Sequence, residues 1–369
     1  MPSDKTKIGI LKIGILGATG VVGQNFCRLL QEHPWFEIAD VAASPRSAGK
    51  PYVEAVKEKW QMPVEIPKEV KDLIVRDVQD FDSLKSDISF VFSAMDLPQK
   101  EDTKIIEFKY AKKGIPVISN SSANRWTADV PMIIPEINHS HTEIIPIQQK
   151  NRGLSKGFVT VKPNCSIQSY MTPIFALEIK GFKVEKLIVT TLQAVSGAGY
   201  PGVPSLDMVD NIVPYIGGEE EKSEREPLKI LGQVGEKGII NNDSIQISAT
   251  CTRVPVTDGH TACVNVKFKN KIPTKEEMIK IWKEFKSVPQ ELDLPFAPKQ
   301  PIIYLENVDR PQPRKDRNSD KGMAVTVGRL RKDNVFDYKF VALSHNTIRG
   351  AAGGAILNAE LLKVKGFFK

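Results

Sequence analysis

Residues 12–16 (KIGIL) form a short, almost wholly apolar run, the pattern of a strand buried on both faces. Val22, Phe26, Leu29 and Leu30 then recur at helical spacing up to about Glu32. Residues 36–43 (FEIADVAA) read as a second strand, and 73–75, 88–92 (ISFVF) and 115–118 (IPVI) as further strands. A helical stretch over 99–113 falls between two of them. Strands alternating with helices predict a mostly parallel sheet covered on both sides. Residues 157–161 add one more apolar strand, and a helix is predicted over 167–180.

The second half has a different rhythm. Residues 187–195 (LIVTTLQAV), 245–256, 261–269 and 323–331 are longer runs, and several alternate. Val264, Val266 and Phe268 interleave with Asn265, Lys267 and Lys269, as in a sheet with one wet face. Helices are predicted over 219–231 and 275–285. The tail, 346–364, reads as one helical stretch opening on Gly350-Ala351-Ala352-Gly353-Gly354, small residues that permit close approach to a backbone or a flat ligand. The charged, proline-containing stretch 309–321 is expected to be a surface loop, and no internal repeat is found. The expected fold class is α/β. A Rossmann-type dinucleotide-binding domain would cover 1–162, completed by a C-terminal helix in 346–369, and an α+β domain with a mixed sheet would cover 163–345.

Composition narrows the function classes. The 369 residues are 41% hydrophobic and 26% charged, a globular balance rather than a disordered one. No apolar run reaches the ~18–20 residues that span a bilayer. The start, Met1-Pro2-Ser3-Asp4-Lys5, has no signal-peptide pattern, so no membrane partner and a cytoplasmic location are expected. The net charge of +7 is mild, and Lys and Arg interleave with Asp and Glu, so nucleic-acid binding is not expected. Cys27, Cys165, Cys251 and Cys263 show neither a C-x-x-C pair nor metal-ligand spacing; no metal is expected, and one thiol is a candidate nucleophile in a reducing compartment.

Two places carry candidate chemistry. Gly17, Gly20 and Gly23 make G-x-x-G-x-x-G between a strand and a helix, where free N–H groups can face a pyrophosphate. Thr19, Val21 and Val22 belong to the same turn. After the second strand no acid appears to hold a ribose hydroxyl; instead Ser44, Arg46 and Ser47 offer donors for a 2′-phosphate, so the expected cofactor is NADP. Asn164-Cys165-Ser166 lies at a strand–helix corner, where the helix dipole is expected to lower the Cys165 pKa. Of five histidines, His260 follows a glycine at the start of a strand and is the candidate acid/base, and Arg253 can clamp a carboxylate.

Gly17-Ala18-Thr19-Gly20, Pro163-Asn164-Cys165, the 193–199 run (QAVSGAG), Arg253 with His260, and the 345–353 run (HNTIRGAAG) occur in this order. Together they resemble aspartate-β-semialdehyde dehydrogenase, in the branch found in archaea and fungi. The resemblance implies that Cys165 attacks the substrate carbonyl, Gln193 helps position it, and His260 is the acid/base. It implies that Arg253 holds the substrate carboxylate and Glu219 the amino group, with Glu220 and Glu221 leaving that alignment open by one residue. Lys222 and Arg125 would bind phosphate, helped by Asn164. Ser93, Ser196, Gly197 and Asn346 would line the cofactor. Lys162 departs from the Asn or Thr that relatives often carry, with no effect on the chemistry expected. The second domain would be the catalytic and dimerisation domain, giving a homodimer or homotetramer. The implied reaction converts aspartyl phosphate to the semialdehyde. A malonyl-CoA reductase using the same cysteine is the alternative, and a silent NADP-binding regulatory protein the remote one.

Overall fold

The computed structural model describes residues 9–368; the amino-terminal start read above lies outside them. Six strands form the first sheet: β1 (Leu11–Leu16), β2 (Phe36–Ala43), β3 (Arg76–Asp77), β4 (Phe90–Ser93), β5 (Val117–Ser119) and β6 (Val159–Val161). Every pairing in it is parallel, in the order β3-β2-β1-β4-β5-β6. That is the doubly wound order, whose ligand crevice opens where β1 meets β4 at the carboxyl ends of the strands. Ile13, Ile15, Phe90 and Phe92 have no exposed surface, as expected of strands covered on both faces.

The second sheet contains β7 (Val184–Gln193), β10 (Gln246–Arg253), β11 (His260–Phe268), β12 (Ile302–Leu305), β13 (Val325–Lys332) and β14 (Tyr338–Ser344). The short strands β8 (Gln233–Val234) and β9 (Ile239–Ile240) pair separately. The order is β10-β7-β11-β14-β13-β12; the two outer pairs are parallel and the rest antiparallel, so the sheet is mixed. Its register matters for function. Gln193 ends β7 opposite Arg253 on β10, and His260 begins β11 one residue from the Thr261–Leu192 pair, so all three meet at one end of the sheet on neighbouring strands.

The helices named below are α1 (Val21–Leu29), α2 (Lys100–Lys112), α3 (Met171–Glu178), α4 (Glu219–Ile230), α5 (Lys275–Glu284) and α6 (Gly353–Val364). α3 and α5 cover the inner face of the mixed sheet through Ile174, Leu177, Met278 and Trp282. α6 returns to the first sheet, where Ala355, Ile356, Ala359 and Leu362 pack with Ile13, Phe26 and Phe92. The main apolar core runs through both sheets, joining Leu16, Val91 and Val161 to Val189 and Val264.

Four expectations need correction. Residues 73–75 are not a strand: Ile74 makes only an isolated bridge to Pro51, and the edge strand is the two-residue β3. The helix expected over 167–180 divides into a 3-10 turn, Ser166–Ser169, and α3. The tail is not one helix, because Ala351 leaves helical geometry (φ −141°, ψ −107°) inside the one-turn π-type segment, Ile348–Ala352, that precedes α6. The stretch 309–321 is partly ordered into Pro313–Asp316 and Ser319–Gly322, since Asp316 is buried against Arg310 and needs a fixed partner.

Candidate active site

The glycine turn leaves β1 with Gly17 at φ +77°, a left-handed conformation that favours glycine. A Cβ on Gly23 would lie 2.4 Å from the Gly17 carbonyl oxygen, so the helix can approach the turn this closely only without a side chain. Gly20 caps α1 with no side-chain hydrogen bond, leaving first-turn N–H groups for a ligand. Thr19, Val21 and Val22 are half-buried and Gly20 exposed along this rim. At the end of β2, Ser44 and Arg46 are exposed and Ser47 is buried in the turn that its N–H closes to Ser44. An open N-terminal cradle with cationic and hydroxyl donors one strand away fits a phosphorylated dinucleotide.

Ser93 ends β4, at the carboxyl end where the crevice opens. It is fully buried, and its hydroxyl donates to Glu107 Oε1 at 2.7 Å rather than facing the crevice. Glu107, on α2, also accepts from Ser119 at 2.6 Å and from Asn124 at 2.7 Å. Ser196 and Asn346 do meet: Asn346 Nδ2 donates to Ser196 Oγ at 2.8 Å, and its Oδ1 accepts the Gly259 N–H at 2.8 Å. Gly197 lies against the Arg253–His260 edge, where a Cβ would come within 2.9 Å of Arg253 Nη1.

Cys165 follows β6 through Lys162-Pro163-Asn164 and lies half-buried. Its Sγ is 3.3 Å from His260 Nε2. Asn164 fixes the corner from both sides. Its Oδ1 accepts the Ser166 N–H at 2.8 Å, its own N–H donates to Glu226 at 2.6 Å, and its Nδ2 donates to Glu219 at 2.9 Å. Glu219 also accepts from Gln193 at 3.1 Å and from Lys222 at 2.8 Å. Of the acidic run, Glu219 alone bonds Asn164 and Gln193, whereas Glu220 accepts the Cys251 N–H and Glu221 pairs with Arg225. Arg253 is buried with Nη1 on the Ala194 carbonyl at 2.8 Å. Arg125 is buried too, holding Glu226 at 2.9 Å, the Lys162 carbonyl at 3.1 Å and the Asn120 carbonyl at 3.2 Å. Those bonds occupy three of its five N–H groups.

The expected depression of the Cys165 pKa is overturned. Burial, then the Glu219 carboxylate, push the thiol up to about 11 against Lys162, Arg125 and Arg253. The dipole contribution is small because only a four-residue 3-10 turn follows the sulfur. Burial, then Arg253, push His260 down to about 3. The pair therefore rests as neutral thiol and neutral imidazole. Burial works against ionising Glu219, yet Lys222, Gln193 and Asn164 hold its carboxyl below the usual range. Burial also pushes Lys162 down to about 7.

Sequence reasoning missed Glu226, Lys229 and Gly350. Glu226 bridges Arg125 and the Asn164 N–H, and Lys229 donates to the carbonyls of Arg125, Thr127 and Val130 at 2.8, 2.8 and 2.9 Å. Both were readable, because residues 219, 222, 223, 226 and 229 share one helical face. Gly350 was noticed only as a small residue; what it adjoins is Cys165.

The profile described as "Semialdehyde dehydrogenase, NAD binding domain" matches residues 12–145, and "Semialdehyde dehydrogenase, dimerisation domain" matches 175–349. The chain is 44% identical to an aspartate-semialdehyde dehydrogenase of Schizosaccharomyces pombe, covering 97% of this chain and 99% of that protein. It is 45% identical to one of Methanothermobacter thermautotrophicus, covering 96% and 99%. Among solved structures, aspartate semialdehyde dehydrogenase with NADP from Candida albicans superposes with a TM-score of 0.87 at 39% identity, covering 98% of this chain and 100% of that one.

Proposed function

The chain belongs to the aspartate-semialdehyde dehydrogenase family, and on that premise we propose how its residues divide the work. The reaction is the NADPH-dependent reductive dephosphorylation of L-aspartyl-4-phosphate to L-aspartate-4-semialdehyde, a step of lysine, threonine and methionine biosynthesis. Gly17, Thr19, Gly20, Val21 and Val22 would hold the pyrophosphate of NADP, Ser44, Arg46 and Ser47 its 2′-phosphate, and Ser196, Gly197 and Asn346 would line it. Bound as NADPH, the cofactor supplies hydride to the acyl carbon.

Arg253 clamps the substrate carboxylate through the guanidinium edge not spent on Ala194, and Glu219 takes the ammonium group. Lys222 and the two uncommitted N–H groups of Arg125 hold the phosphate, with Asn164 beside them. The Cys165 sulfur attacks the acyl carbon, the bond to phosphate breaks, and a thioester forms on the chain. Gln193 keeps substrate and intermediate in line, and His260 is the acid/base partner of the sulfur. After reduction the carbon–sulfur bond breaks and the semialdehyde leaves.

The observation that carries this reading is the 3.3 Å approach of Cys165 Sγ to His260 Nε2 beside a carboxylate hub, Glu219, shared by Asn164, Gln193 and Lys222. Cys165→Ala is expected to abolish turnover while NADPH binding persists; a turning-over variant removes the thioester. Supplying semialdehyde and NADP with either phosphate or CoA separates this reading from a CoA-thioester reductase, and phosphate is the expected co-substrate.

Oligomers form through the dimerisation domain. A homodimer or homotetramer in the cytoplasm is the expected form, which sedimentation of the purified chain would distinguish. No helix among the described residues is long and apolar enough to cross a membrane.

A further inference from the structure

One arginine is held at both ends by one helix. Glu226 and Lys229 stand one turn apart on the same face of α4. Glu226 takes the Arg125 side chain, whose Nη1 donates to Oε1 at 2.9 Å. Lys229 takes the main chain, its Nζ donating to the Arg125 carbonyl at 2.8 Å. The same ammonium donates to the carbonyls of Thr127 and Val130 at 2.8 and 2.9 Å. Residues 121–130 form neither helix nor strand, so these carbonyls have no ladder to enter and need another donor. An ammonium has three N–H groups and the segment turns three carbonyls toward it, so the count closes only when Lys229 is protonated. A neutral amine has two N–H groups, and its lone pair would face the third carbonyl oxygen. Lys229 is itself buried, out of reach of water as a substitute donor.

The clamp joins the two halves of the fold. Residues 125–130 lie within the NAD-binding match and α4 within the dimerisation match. Ile239 on β9 adds its N–H to the Ala128 carbonyl at 3.0 Å, and Arg225 of α4 stacks over the Trp126 ring at 4.6 Å. Lys222 stands on α4 too, so one helix carries one proposed phosphate ligand and anchors the other.

We infer that Lys229 is a positioning residue for phosphate: by gathering the carbonyls of Arg125, Thr127 and Val130 on one ammonium, it sets Arg125 where its free N–H groups and Lys222 meet the same phosphate. This rests on the reading of Arg125 and Lys222 as phosphate ligands. Lys229 itself touches neither substrate nor cofactor.

The clamp has a pH dependence of its own. The charged and titratable groups facing the ammonium are Glu226 on its own helix, Asp129 and Arg125 in the clamped segment, and His141 in the 3-10 turn His139–Glu143. Asp129 is already paired with Arg152 at 2.8 and 2.7 Å. Burial outweighs Asp129 and Glu226 and pushes Lys229 down to about 8. As pH rises through that value, one of the three carbonyls loses its donor and the Arg125 segment loosens. The fold does not weaken with it. A lysine whose pKa is lower in the folded chain than its ordinary 10.5 adds stability, not loss, as pH climbs from about 8. Phosphate binding and folding should therefore part company above pH 8.

The test uses the full chain in the oxidative direction, with semialdehyde and NADP saturating and phosphate varied. Lys229→Met keeps the side-chain length and removes all three donors. Its phosphate KM should rise ~10-fold or more, the scale of a lost charge-assisted hydrogen bond, with the KM values for semialdehyde and NADP within about two-fold. Parallel rises in all three, or an unchanged phosphate KM, overturn the proposal. The wild-type chain gives a second arm that needs no variant. Its phosphate KM should climb between pH 7.5 and 9 with no loss of folded protein; a flat KM across that range overturns the proposal. A wild-type enzyme that uses no phosphate sinks the phosphate reading instead. Hydrogen exchange at the 125–130 amides then still decides the clamp, being faster in Lys229→Met if it exists and unchanged if it does not.

Discussion

Gly350 touches the nucleophile: a Cβ there would lie 2.8 Å from Cys165 Cβ and 3.3 Å from its Cα. The sulfur keeps its place beside His260 because position 350 carries only hydrogen. Gly350 is held by its N–H on the His345 carbonyl at 2.9 Å, so it cannot simply retreat. Gly350→Ala is therefore expected to displace Cys165. A shift of about 1 Å at a reacting atom costs ~10²-fold in rate, and overpacking costs ~1–3 kcal/mol of stability. Steady-state kinetics should show kcat down by about that factor with NADPH affinity kept. A kcat within a few-fold of wild type contradicts the contact.

Glu226 would couple the proposed phosphate site to the turn of Cys165, because one buried carboxylate holds both Arg125 and the Asn164 N–H. Glu226→Gln keeps an acceptor but removes the charge that offsets Arg125. Breaking a buried ion pair costs ~3–5 kcal/mol, so chemical denaturation should show a loss of that order. With its charge uncompensated, Arg125 should grip phosphate more tightly. In the oxidative direction the KM for phosphate is expected to fall while the KM for semialdehyde stays within two-fold. An unchanged or higher phosphate KM removes the coupling.

Much of this was readable from the chain. The apolar run in β1 and the glycine turn after it pointed to one end of the parallel sheet, and the P-N-C corner and the Gly259-His260 start of β11 pointed to two side chains that the fold brings within 3.3 Å. Those are local signals, dominated by backbone geometry at one turn. What stayed hidden depends on sequence-distant packing. The thiol's pKa is set by burial and by Glu219, fifty-four residues away, so a motif cannot reveal its sign. That the Ser93 hydroxyl turns inward to Glu107 is likewise set by packing against a helix. β14 carries no clean alternation, because apolar Val341 and Leu343 on one face interleave with Tyr338, Phe340 and Ala342 on the other, and Leu343 is itself buried.

Arg46 is exposed at the end of β2 with no carboxylate partner among the described residues, a free cation where a 2′-phosphate would arrive. Arg46→Ala should raise the KM for NADPH by ~10-fold or more, in line with losing a charge-assisted hydrogen bond worth ~1.5–3 kcal/mol. The KM for NADH should move little, since NADH lacks that phosphate. Parallel losses with both cofactors would place the 2′-phosphate elsewhere.

The last prediction concerns the pH dependence of Cys165. Only the thiolate alkylates rapidly, and burial holds this thiol up at about 11. Below that value each pH unit should raise the thiolate fraction about ten-fold, so the iodoacetamide rate at Cys165 should climb through pH 7–9 without a plateau. A thiol lowered by a helix dipole would instead level off near pH 7. Lys162 bends the curve: its charge favours the thiolate, and burial has brought its own pKa down to about 7. As pH rises through 7 that help is withdrawn, and the slope there should be shallower than ten-fold per unit. Lys162→Met should straighten the curve and slow alkylation several-fold at pH 6 but hardly at pH 9. Cys263 is exposed and will also react, so labelling is best followed by peptide mass or in Cys263→Ser. A plateau by pH 8 in the unliganded enzyme would mean that Glu219 and burial do not govern the sulfur.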